Sequence, residues 1–97
     1  MENEIVNDKV CIITGGSRGL GKGMTLALTA AGAKVIAPSH IPTDIPLIEN
    51  DVSANVGNSG GEVYAMSADL RNPDQCCEII DKTLEKFGKL DVLVNNA

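Results

Sequence analysis

KVCIITGGSRGLGKG, residues 9–23, is the stretch that decides how the rest of the chain folds. Val10 to Ile13 is an apolar run rich in β-branched residues with no polar alternation, which predicts a parallel strand covered on both faces. The run breaks into a loop with four glycines, and a helix-forming stretch follows. Strand, glycine loop and helix N-terminus in that order form a phosphate-binding turn. Glycine lets the backbone turn sharply and approach a ligand with no Cβ in the way. The first helical N–H groups lack internal partners and, with the helix dipole, favour an anion.

Three spacing patterns compete for this loop. The nucleoside-triphosphate pattern G-x-x-x-x-G-K-[ST] runs from Gly16 through Gly21 and Lys22 and fails at Gly23, where the Mg²⁺-holding hydroxyl is missing. The dinucleotide fingerprint G-x-G-x-x-G matches Gly19 and Gly21 and fails at Met24. T-G-x-x-x-G-x-G fits throughout, as Thr14, Gly15, Gly19 and Gly21. That spacing resembles the dinucleotide-binding loop of the short-chain dehydrogenase/reductase family. A glycine turn that binds nothing has the same local signature.

At 97 residues the chain is at most one small domain with a modest core. An apolar fraction of 43% with both charge signs present reads as globular rather than disordered. The net charge of −5 and the lack of a basic cluster argue against nucleic acid as a partner. No segment is apolar for long enough to span a bilayer, and MENEIVND is too acidic for a signal peptide, so the expected compartment is cytoplasmic. Cys11, Cys76 and Cys77 show no C-x-x-C or Cys/His spacing, which leaves metal ligation without support and predicts small buried hydrophobes.

Beyond the loop, Leu20 to Ala31 reads as a helix with Met24, Leu28 and Ala31 on its inner face, stopped by Gly32. Lys34–Ala37 follows as a second buried strand, which completes a βαβ unit. In NAD sites an acid about 20 residues beyond the loop bonds the ribose 2′-hydroxyl. The corresponding position is near Ser39, and no acid lies between Ala33 and Thr43. Ser39 and His40 stand there instead, with Arg18 and Lys22 adding positive charge. The resemblance implies that a basic loop residue without that acid goes with NADP in preference to NAD.

The connection Ile41–Gly61 departs most from the family pattern. Pro42 and Pro46 exclude a continuous helix from His40, and a helix starting near Pro46 and ending at Gly57 would align Ile48, Val52 and Val56. Glu62–Ala68 is the third strand and ends in Asp69-Leu70. The resemblance implies an adenine contact for Asp69, while a loop aspartate capping local backbone has the same sequence signature. Asn72, Pro73 and Gln75 then open a helix with an Asn-x-x-Gln capping box. Cys76, Ile79, Ile80, Thr83, Leu84 and Phe87 are expected on one apolar face, with Lys82, Glu85 and Lys86 solvated. Leu90–Val94 is the fourth strand, and Asn95-Asn96-Ala97 resembles the start of the family's N-N-A-G motif.

The resemblance covers essentially the whole chain. It implies a Rossmann-type doubly wound parallel α/β sheet of four strands, order 3-2-1-4, with helices on both faces. The candidate cofactor-binding residues are Thr14, Gly15, Ser17, Arg18, Gly19, Leu20, Gly21, Ser39, His40, Asp69, Leu70, Asn95, Asn96 and Ala97. The implied activity is hydride transfer between a nicotinamide dinucleotide and an alcohol or ketone by a longer, oligomeric enzyme. Its catalytic Ser and Tyr-x-x-x-Lys have no counterpart here, since Tyr64 is followed four residues later by Ala68. A partial sequence whose fourth strand is an aggregation-prone edge is therefore expected. A non-catalytic dinucleotide-binding or sensing module, or an inactive fragment, is the alternative, and a phosphate-loop nucleotidase is weaker still.

Overall fold

The computed structural model describes residues 5–96; Ala97 and the first four residues lie outside the described residues. Strand β1 (Val10–Ile13) is buried along its whole length. Around it the chain places α1 (Gly19–Ala30), β2 (Lys34–Ser39), α2 (Asp44–Asn55), β3 (Glu62–Ser67), α3 (Pro73–Phe87) and β4 (Val92–Val94). The sheet order is β3-β2-β1-β4, as expected, and every pair is parallel. Alternation along β1 divides the core between two faces. Val10 and Ile12 pack with Ile79 of α3, while Cys11 and Ile13 pack with Met24 and Leu28 of α1. Ile48 and Val52 of α2 join the α1 side through Ala65 and Val63.

Several boundaries differ from the sequence reading. β2 runs on to Ser39, with Pro38 opposite Met66 of β3. Lys34 N–H donates to Lys9 O, while Ser39 O accepts from Ala68 N–H. By alternation, the N–H that Pro38 lacks would face Ile13 O at the end of β1, and that carbonyl accepts Gly16 N–H at 3.1 Å instead. α2 starts at Asp44 rather than near Pro46. Proline needs no N–H partner anywhere in a first turn, so Pro46 fits at the third helical position. β4 is shorter than Leu90–Val94 because Asp91 joins the ladder partly by its side chain. Its N–H donates to Val10 O at 2.9 Å, and its carboxylate accepts Val10 N–H at 2.8 Å. That bond, ahead of Lys89, holds the Asp91 carboxyl below the usual range against its partial burial.

The helix faces also need correction. On α1 the deepest residues are Gly21, Thr25 and Thr29, with Met24 and Leu28 flanking them. Thr29 Oγ1 donates to Thr25 O at 2.8 Å, so a polar stripe is buried without an orphaned hydroxyl. On α3 only Ile79 and Thr83 are buried, while Ile80 and Leu84 are exposed. Asn72 caps α3 by accepting from Asp74 and Gln75 N–H. The capping box is not reciprocal, since Gln75 Oε1 accepts from Asp69 N–H instead. Cys11 is buried as expected, with burial, then Asp91, pushing its thiol up; Cys77 is exposed.

Ile12 is 2% exposed at the centre of the sheet. Ile12→Ala should lower the unfolding free energy by about 2–5 kcal/mol, read from the urea midpoint. An unchanged midpoint would mean that β1 is not the centre of the core.

Candidate functional site

The carboxyl end of β1 is tied to the carboxyl end of β4. Thr14 N–H donates to Val94 O at 3.0 Å, and Thr14 Oγ1 accepts Asn96 N–H at 2.8 Å. The same hydroxyl lies 3.3 Å from both Val94 O and Asn95 Oδ1, to one of which it donates. The chain then turns through Gly15, whose φ of 68° is left-handed. Gly16 O is taken by Thr25 Oγ1 at 2.8 Å, which pins the loop to the middle of α1. A Cβ at Gly21 would lie 2.1 Å from Gly15 O and 2.6 Å from Asn96 Nδ2. Only glycine permits that approach, so the loop, α1 and the Asn95-Asn96 segment form one packed unit.

The first turn of α1 is left open. Its N-cap, Arg18, makes no side-chain capping bond, and the turn carries no acid. α3 differs on both counts, with Asn72 as cap and Asp74 in the first turn. An uncapped, acid-free helix N-terminus beside a glycine turn suits an anionic ligand.

Beside this loop lies a cleft of about 300 Å³, lined by Gly15, Ser17, Arg18, Pro38, Ser39, His40, Ile41, Asp44, Ala68 and Leu70. It sits beyond the carboxyl ends of β1, β2 and β3, where open α/β sheets bind ligands. Asp44, the first residue of α2, is only 5% exposed. Its Oδ2 accepts from Arg18 Nε at 2.8 Å and from the hydroxyls of Ser17 and Ser39 at 3.3 Å each. Arg18 is the main reason the Asp44 carboxyl lies below its usual range, against burial that acts the other way. Ser39 Oγ also accepts Ile41 N–H at 3.1 Å, which shapes the turn out of β2.

A second depression adjoins the cleft and is lined by His40, Asp69, Leu70 and Arg71. The Asp69 carboxylate accepts from Arg71 through its backbone N–H at 3.0 Å, Nε at 3.1 Å and Nη2 at 3.0 Å. These bonds, the side-chain ones foremost, hold the carboxyl at about 2. Asp69 thus caps local backbone and stands at the mouth of the pocket as well.

Of the residues singled out from sequence, Gly15, Ser17, Arg18, Ser39, His40 and Leu70 share the main cleft. Asp69 borders its neighbour, and Thr14, Asn95 and Asn96 form the clasp behind the loop. Gly21 is buried as packing, while Leu20 is 76% exposed and, like Gly19, does not line the cleft. Ala97 lies outside the described residues. Sequence reading missed Asp44 and also Asp51, whose Oδ2 lies 2.6 Å from Lys22 Nζ. Both cations counted near the ribose therefore carry a carboxylate from α2. The available signal was an acid in the first turn of the helix after β2, which a search of the strand end alone does not reach.

Comparison with known proteins gives a consistent picture. The sequence model described as short chain dehydrogenase matches residues 9–97. The 3-oxoacyl-[acyl-carrier-protein] reductase of Synechocystis is 42% identical over 92 residues, covering 92% of this chain and 35% of that protein. Among solved structures, the NADH-dependent reductase A1-R′ complexed with NAD superposes with a TM-score of 0.84 at 30% identity, covering 100% of this chain and 38% of that one. A metagenomic short-chain oxidoreductase in complex with NADP gives 0.83 at 30% identity, covering 95% and 40%. The chain spans about a third of the length of the curated relatives it matches.

Two outcomes test this geometry. Gly21→Ala should lower the thermal midpoint and loosen the loop, because the atoms it meets belong to the glycine loop and to the clasp behind it; an unchanged midpoint would show that the approach is not tight. Asp69 goes from 3.8 when unpaired to about 2 in the fold, so its contribution to stability is full above about pH 4 and is lost as pH falls through 2. A carboxyl NMR titration should give that low midpoint, and one near 4 would mean the Arg71 clasp does not form.

Proposed function

The chain belongs to the short-chain dehydrogenase family, and on that premise we propose that it supplies the cofactor-binding part of a nicotinamide-dinucleotide oxidoreductase. The observation that carries the reading is the open first turn of α1 beside the cleft at the ends of β1, β2 and β3. The residues present suit such a group. The pyrophosphate belongs over Gly15–Gly21, where the helix dipole and free N–H groups favour negative charge. The adenosine ribose belongs between Arg18 and Ser39, and the adenine toward Leu70 and Asp69. About 300 Å³ is at the lower end for a ligand cleft and matches a nucleoside half rather than a whole dinucleotide.

The bound nicotinamide would accept or supply the hydride. The residues of this chain bind and orient. The Thr14–Asn95–Asn96 clasp fixes the loop, and Arg18 faces the ribose. We propose NADP ahead of NAD. Arg18 gives only Nε to Asp44, so its two terminal nitrogens are bonded to nothing among the described residues, and β2 ends at Ser39, followed by His40, with no acid there. A small alcohol or carbonyl compound as substrate, and a homo-oligomeric longer form, belong to the same proposal through the family.

Titration of the full chain with NADPH and with NADH, followed by nicotinamide fluorescence, tests both levels. Binding of both, with NADPH tighter, is expected. Binding of neither would overturn the dinucleotide reading. Equal or tighter binding of NADH would overturn only the preference for NADP.

A further inference from the structure

We infer that Asp44 is a specificity-determining residue that limits how strongly the cleft prefers a phosphorylated ribose. The inference rests on the dinucleotide reading above and goes beyond it, since neither the strand end nor the glycine loop contains this acid. Asp44 reaches the ribose side of the cleft from α2, and it is held there. Three donors converge on its Oδ2, two from the glycine loop and one from the end of β2. At 5% exposure with those partners, it does not swing out to solvent when a ligand arrives.

Charge at this end of the cleft follows from that placement. Arg18 is the cation and Asp44 cancels it at 2.8 Å. Lys22, the next cation along α1, is paired with Asp51. In the adjoining depression Arg71 is paired with Asp69. His40 is the remaining titratable group on the lining among the described residues.

A ribose 2′-phosphate carries between one and two negative charges at neutral pH. Beside Arg18 it meets attraction from the guanidinium and repulsion from a carboxylate a hydrogen bond away. In a partly desolvated cleft both act more strongly than in water, so removing one changes the balance substantially. A ribose 2′-hydroxyl feels no such repulsion. It can donate to Asp44 Oδ1, which accepts no hydrogen bond among the described residues. The buried acid therefore favours the unphosphorylated ribose while Arg18 favours the phosphorylated one, and the two oppose each other in one site.

The test measures NADPH and NADH affinity of the full chain, of Asp44→Asn and of Asp51→Asn. Asp44→Asn keeps the size and most hydrogen-bonding capacity of the side chain while removing its charge. It should raise the ratio of NADPH to NADH affinity roughly fivefold or more. Asp51→Asn removes the same charge from the same helix away from the cleft and should change the ratio less than about twofold, because solvent screens it. Asp44→Ser carries the same expectation if the amide packs poorly, with circular dichroism verifying the fold. A ratio that stays put or falls in both Asp44 variants would overturn the inference and make Asp44 only an anchor for Arg18, leaving the dinucleotide reading intact. An equal rise in Asp51→Asn would overturn it in favour of overall charge. Binding of neither nucleotide by the unsubstituted chain would overturn both readings.

Discussion

A Cβ at Gly21 would collide with the Gly15 carbonyl and the Asn96 amide, and the structure is arranged around keeping that space free of a side chain. Because α1 starts hard against the end of β1, its axis and depth are set, and the small residues Thr25 and Thr29 follow on the same inner face. Larger side chains there would lift the helix off the sheet. Their hydroxyls return to backbone carbonyls at Gly16 and Thr25, so burial leaves no unsatisfied polar atom. The same approach brings Asn96 over the loop, and the Thr14 hydroxyl links β1 to the segment after β4. Loop geometry, helix packing and sheet order are thus one constraint seen from three sides.

α2 adds a second layer of control through charge. Its acids meet the cations of α1 and the glycine loop at two points, Asp44 with Arg18 and Asp51 with Lys22. The two pairs differ in kind. Lys22 and Asp51 are both partly solvated, so their attraction is weak and screened. Asp44 is buried among hydroxyls and a guanidinium, which makes its charge local to the cleft. The position of one helix start therefore decides the electrostatics of the ribose end.

The α3 side of the sheet and its β4 edge are less covered than the rest of it. Ile80 and Leu84 on α3, Val92 and Leu93 on β4, and Leu70 between them are exposed to different degrees. α3 is strongly amphipathic, yet only Ile79 and Thr83 are buried against the sheet. In the longer relatives this chain corresponds to about a third of the polypeptide.

The sequence by itself determined the four strands, the three helices, their alternation and the glycine turn, because each rests on local physics. Those features are β-branched runs, helical periodicity, the Asn72-Pro73 start and the Gly88 stop, whose φ of 76° suits only glycine well. Sheet order and the Asn95-Asn96 neighbourhood came from the family resemblance instead. What only the tertiary structure decided is which groups meet across the fold. Arg18 and Asp44 are 26 positions apart, and their contact depends on β2 continuing through Pro38 to Ser39 and on α2 starting two residues before Pro46. The burial of Thr25 and the exposure of Ile80 were likewise invisible, since a helical pattern names a face but not what covers it. Local patterns record a residue's own backbone preference, whereas the charge of the cleft depends on distances between segments that no single stretch of the chain contains.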